Sequence, residues 1–178
     1  MAKKKLTMFL LSWICVLSLA GCGAEKIVRE NHTNPMSKTD AMMEITNAYV
    51  TEYLGFTDTA VTLGNQLSAY RLSAGKLQTI AYEKYPVFVE GKVVAFTTCF
   101  LSETGEYLPG CGVKYAEAFW QAYSEKPGTA IALVYAKEGA YLVREGENPI
   151  LLHEIPIEDC DPIEELEKCR ASVVYKVI

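Results

Sequence analysis

Two side chains could form a nucleophile and base pair. The chain has two histidines, His32 and His153, and His32 lies in a polar tether, so imidazole acid–base chemistry rests on His153. Cys111 precedes a segment with helical period that starts near Val113. A cysteine at a helix start has its thiolate favoured by unpaired amides and by the helix dipole. Cys111 with His153, 42 positions later, would then be the catalytic pair of a cysteine hydrolase. The competing chemistry for Cys111 is a disulfide with Cys99.

Gly110-Cys111-Gly112 with a helix behind it is similar to papain-like and cell-wall cysteine peptidases, a resemblance that implies acyl transfer by Cys111 with His153 as base. The gap to His153 is short for such folds, and no further motif supplies an oxyanion donor. No glycine-rich phosphate loop, Ser-His-Asp set or HExxH helix accompanies it. The leading expectation is therefore a non-enzymatic binding or accessory domain that needs no cofactor, and the hydrolase is the alternative.

Carboxylates cluster at Glu154, Glu158, Asp159, Asp161, Glu164, Glu165 and Glu167. That density suits calcium, but the Asp-x-Asp-x-Asp-Gly loop is missing and capping already explains Asp161 and Glu164, so a solvated acidic face is the preferred reading. Zinc is disfavoured because no cysteines have Cys-x-x-Cys spacing. No metal site is expected. The 11 tyrosines offer another chemistry. Tyr70, Tyr82, Tyr85, Tyr135 and Tyr141 alternate with polar residues on predicted strands, and tyrosine gives amphipathic contact area suited to a peptide or glycan. Ordinary strand propensity with half-buried rings is the competing explanation.

The elements that must position these groups are legible from period and punctuation. A helix is expected over 40–54, with Met42, Ile45, Thr46, Tyr49, Val50 and Tyr53 on one face, Ser37 or Thr39 capping it and Gly55 ending it. Hairpins are expected from 67–73 with 77–82 around Ala74-Gly75-Lys76, from 85–89 with 93–101 around Glu90-Gly91, and from 129–136 with 140–143 around Glu138-Gly139. Residues 102–112 read as a loop, 113–123 as a second helix and 150–153 as a strand. Asp161-Pro162-Ile163-Glu164 predicts a short third helix capped by Asp161, and 171–178 a closing strand. Tight hairpins demand antiparallel pairing. The fold class is therefore α+β: an antiparallel sheet built of hairpins, two main helices packed on one face and a short C-terminal helix. This layout also looks like small inhibitory or pro-domain modules of bacterial secreted peptidases, an analogy of architecture without a motif.

The amino terminus reads as an address. Lys3, Lys4 and Lys5 precede an apolar run over 6–19, and Leu19-Ala20-Gly21-Cys22 follows. A basic start, a short apolar stretch and small residues before the cut form a secretory signal. The run is 14 residues long, short of the roughly 20 that a spanning helix needs. Leu-Ala-Gly-Cys resembles the lipobox of bacterial lipoproteins. That resemblance implies cleavage after residue 21, a diacylglyceryl thioether on Cys22 with an N-acyl chain such as palmitate, and attachment to the outer face of the cell membrane. Residues 22–37 read as a flexible tether reaching about 20 Å, and 38–178 as a single domain.

Losing three of the 17 basic residues and none of the 22 acidic ones leaves the mature chain at −8. Such a charge argues against nucleic acid and against polybasic docking on anionic lipid. The expected partners are the membrane, through Cys22, and a peptide, protein or envelope polymer. Outside the cytoplasm, Cys99, Cys111, Cys160 and Cys169 suit disulfides. Of three possible pairings the local one is expected, Cys99 with Cys111 and Cys160 with Cys169, each worth about 2–3 kcal/mol. Four free buried thiols are the alternative.

Overall fold

The computed structural model describes residues 36–178. The signal, Cys22 and nearly all of the tether lie outside the described residues.

Helix α1, Lys38–Glu52, begins at Ser37, whose hydroxyl accepts from the Asp40 amide at 3.2 Å. Satisfying an orphan amide in this way is the ordinary role of a serine N-cap. Gly55, at φ +74°, turns the chain after it. Nine strands follow: β1 Val61–Leu63, β2 Ser68–Ser73, β3 Lys76–Thr79, β4 Glu83–Val89, β5 Lys92–Leu101, β6 Tyr107–Gly112, β7 Ile131–Ala136, β8 Gly139–Arg144 and β9 Ile150–Glu154. Helix α2, Ala116–Ser124, lies between β6 and β7.

The structure is mixed α and β, with two sheets where one was expected. The first has the order β1-β4-β5-β6 and the second β3-β2-β7-β8-β9. The expected hairpins are present as β2–β3, β4–β5 and β7–β8. In the first two, both turn residues have positive φ: Ala74 and Gly75, then Glu90 and Gly91. That is the twist-matched turn that two-residue hairpins favour. Pairing is not purely antiparallel, because β2 runs parallel to β7 across Ser68–Arg71. This pairing joins strands some 60 residues apart, so no local signal announces it.

The helices also depart from the expectation of one shared face. Helix α1 packs on β5, β6 and β1 of the first sheet. Its Val50 meets Val87, Val89 and Ala95, and Thr46 Oγ lies 2.5 Å from Thr97 Oγ. Helix α2 instead packs against both sheets. Phe119, fully buried, joins Val93 and Phe96 of the first sheet to Ile131, Leu133 and Leu142 of the second. Burying a side chain of this size contributes about 1.5–3 kcal/mol. The far face of the second sheet is covered by the C-terminal segment through Leu166 and Val173.

Three local expectations are corrected. The loop over 102–112 contains the edge strand β6, paired with β5, and the turn is confined to the residues around Gly105. Helix α2 starts at Ala116, so Cys111 is a strand residue and lacks the helix-terminus environment expected of it. The third helix is a 3-10 helix, Ile163–Lys168, with Pro162 at its cap position. Asp161 turns elsewhere and accepts from the Gly75 amide at 2.7 Å. The closing strand is replaced by a 3-10 turn, Arg170–Ser172, and a single bridge between Lys176 and Ile131.

Candidate functional site

On β4, Lys84 alternates with Glu83 and Tyr85, so the three do not share a face. Glu83 and Tyr85 meet Lys38 of α1: Lys38 pairs with Glu83, and Tyr85 Oη donates to Glu83 at 2.8 Å. Lys84 faces the other way, with Phe96 of β5, and is only 8% exposed. Its Nζ donates to Tyr115 Oη at 2.5 Å, and Tyr115 Oη lies 2.5 Å from Tyr135 Oη. Four rings surround the ammonium, with centroids at 4.8 Å (Tyr115), 5.1 Å (Phe96), and 5.9 Å for both Tyr82 and Tyr135. Cation–π attraction from these rings offsets part of the lost hydration. Among the described residues no carboxylate pairs with Lys84, and two of its three donors have no partner.

That environment sets its ionisation. Burial, and secondarily the charge of Lys114, pull the Lys84 ammonium down to about 8. Burial pushes the phenols of Tyr115 and Tyr135 well above their ordinary range, so both stay protonated. Tyr115 reaches this position at a conformational cost. It is the N-cap of α2 with φ +53°, a left-handed conformation uncommon for a bulky residue, and its side chain makes no capping bond.

Two adjoining hollows of about 200 and 240 Å³ share Lys84 and Lys114 in their linings. The first also takes in Tyr82, Tyr115, Tyr135 and His153. The second is bounded by Phe96, Thr98, Gly110 and Cys111. A third hollow of about 300 Å³ shares Tyr82 and Tyr135 with the first and adds Arg71. Together they form a basic, tyrosine-rich cleft.

Of the five tyrosines expected to bind, the structure brings Tyr82 and Tyr135 together. Tyr70 is buried on the far side of the second sheet, where its oxygen accepts from the Val174 amide at 3.1 Å. Tyr141 is buried in the same cluster, and Tyr85 belongs to the Lys38 contact under α1. His153 lines the Lys84 hollow beside the Tyr115 ring, at 6.4 Å between centroids. Cys111 Sγ is 3.7 Å from Thr97 Oγ, on the face that looks toward α1. Burial pushes the Cys111 thiol up, outweighing the opposing contribution of Thr97. No hydrogen bond joins Cys111 to His153 among the described residues. Lys84, Lys114 and Tyr115 were not singled out from the sequence. The available signal was the phase of β4, in which Lys84 falls in step with the apolar Pro86.

All four cysteines of the described residues are free thiols in the structure. Cys99 stands opposite Pro109 and Cys111 opposite Thr97, so the two are diagonal neighbours. Such neighbours are about 7–8 Å apart, wider than a disulfide spans. The acidic residues are engaged separately: Asp161 with Gly75, Glu165 with Lys168, and Glu167 with Arg170. Among the described residues no group of three or more His, Cys, Asp or Glu side chains is set to hold a metal ion. No helix among them is long and apolar enough to cross a membrane.

No family model matches the chain, and no curated protein matches it.

Proposed function

We propose that the chain is a bacterial lipoprotein of the extracytoplasmic membrane face, held by lipid on Cys22, whose folded part is a non-enzymatic binding domain. The anchor rests on the basic start, the 14-residue apolar run and Leu19-Ala20-Gly21-Cys22. Binding rests on one observation: a cleft already lined by Lys84, Tyr82, Tyr115 and Tyr135, with polar groups converging on a partly apolar wall. Ligand sites are commonly concave, preformed and sparsely polar in this way. Tethering near a membrane raises the local concentration of the domain, so modest affinity suffices for a partner in the envelope.

Two measurements test the two parts. Fractionation with palmitate labelling is expected to place the wild type in the membrane and Cys22→Ser, unlabelled, outside it. Equal membrane retention of both removes the anchor. A thermal-shift survey with neutral, cationic and anionic small molecules is expected to find stabilisation that Tyr82→Ala and Tyr135→Ala abolish. Stabilisation by no class, or by one insensitive to both substitutions, removes the binding cleft.

A further inference from the structure

We propose that the cleft seats an oxyanion group of a small ligand between Lys84 and Lys114, with the Tyr115–Tyr135 hydroxyl pair orienting it. This inference rests on the binding reading above and names the chemistry that the cleft accepts. The first argument is charge. The chain carries −5 overall, yet Lys84 and Lys114 line the two adjoining hollows, Arg71 lines the third, and no Asp or Glu lines any of them. A local reversal of sign in a low-dielectric recess concentrates anions.

The second argument is an unmet requirement. Lys84 is more than nine-tenths buried, has a single hydrogen bond and has no opposite charge among the described residues. A buried ammonium is usually paired, because its hydration is otherwise lost without replacement. An oxyanion in either adjoining hollow would supply both the missing charge and acceptors for the remaining N–H donors. The third argument is polarity of the backbone. Tyr115 is the N-cap of the nine-residue α2, so the positive end of that helix adjoins the cleft, while Glu117 in its first turn is exposed. The titratable groups that share the two hollows with Lys84 are Tyr82 before β4, Cys111 on β6, Lys114 and Tyr115 before α2, Tyr135 on β7 and His153 on β9. None of them is a carboxylate.

The test uses full-length protein in detergent with isotopically labelled lysine, titrated with inorganic phosphate, acetate or chloride at matched ionic strength. The Lys84 side-chain resonance is expected to move saturably with phosphate or acetate and not with chloride. Its ionisation midpoint should rise by about one unit or more when the site is filled, the direction an adjacent anion imposes. Saturation by phosphate alone assigns a phosphate ester, and saturation by acetate assigns a carboxylate. Lys114→Gln should weaken binding several-fold, and Lys84→Met should abolish it. The proposal is overturned if neither oxyanion moves Lys84, if chloride moves it equally, or if binding survives Lys84→Met. Should Lys84→Met fail to fold, the wild-type titration decides alone. Stabilisation by a neutral or cationic compound in the thermal survey, with Lys84 silent to oxyanions, would leave the binding domain standing and remove only the oxyanion.

Discussion

The Lys84 ammonium donates to the Tyr115 hydroxyl at 2.5 Å, and this contact joins the first sheet to the residue that opens helix α2. It is the one side-chain hydrogen bond of this buried cation among the described residues, and Tyr115 makes it from a left-handed backbone conformation. The electrostatics of the cleft follow from this pair.

The cost of burying Lys84 should appear as a pH dependence of stability. In the unfolded chain the lysine titrates near 10.5, and in the fold near 8. Between those values the unfolded state binds more protons, so stability rises with pH across that window, by up to about 3 kcal/mol from this group. Tyr115 and Tyr135 act oppositely as pH passes the ordinary phenol value, because the fold keeps them protonated. The difference between wild type and Lys84→Met isolates the lysine. Denaturant titrations should find Lys84→Met the more stable at pH 7, with the gap closing towards pH 10.

Tyr115→Phe keeps the ring and removes the acceptor. Lys84 then loses its only side-chain hydrogen-bond partner among the described residues, at a cost of about 1–3 kcal/mol. The loss should fall in the Lys84→Met background, where no donor remains to be orphaned. A double-mutant cycle from urea midpoints measures this coupling. Equal losses in both backgrounds would remove the contact from the account.

Phe119 is the residue through which α2 reaches both sheets. Phe119→Ala should cost about 3–5 kcal/mol by loss of transfer energy and by the cavity left behind. Thermal unfolding followed by circular dichroism gives the value, and a cost under about 1 kcal/mol would contradict the packing described.

Gly139 starts β8 where β9 crosses closely. An added Cβ would lie 2.0 Å from the His153 carbonyl oxygen, and φ is +156°. Gly139→Ala should therefore cost more than about 1 kcal/mol. It should also displace His153 in the cleft, visible as a shift of the imidazole resonances.

Burial raises the ionisation midpoints of all four thiols, Cys99, Cys111, Cys160 and Cys169, and so disfavours the thiolate. Iodoacetamide should react slowly with each in the folded protein near neutral pH and with all four after denaturation, as counted by mass spectrometry. A rapidly alkylated Cys111 would restore the hydrolase alternative, and two unmodified cysteines would indicate a bridge.

Local features were legible in the sequence where they answer to local rules. Ala74-Gly75 and Glu90-Gly91 announce their hairpins because the turns need positive φ. Ser37 and Gly55 bound α1 for reasons contained in a few residues. The split into two sheets was not legible, since it depends on β2 meeting β7 in parallel across a long separation. The site was hidden for a related reason. Lys84 in Glu-Lys-Tyr reads as an ordinary polar position of a half-exposed strand, and only the packing of α2 and β7 over that face buries it. Tyr115 was concealed by a helical period that runs from Val113, although the helix begins three residues later. Tyr82 and Tyr135, offered as contact residues by the alternation of tyrosines on strand faces, both line the cleft. The same rule also returned Tyr70 and Tyr141, which the C-terminal segment covers.

Lys84 is a desolvated ammonium facing the cleft with no opposite charge paired to it among the described residues. Titrating its side-chain resonance by NMR in ligand-free protein measures this directly. A midpoint lowered to about 8 is the expected result. A midpoint at the solvent value of 10.5 would contradict it and return Lys84 to an ordinary surface role.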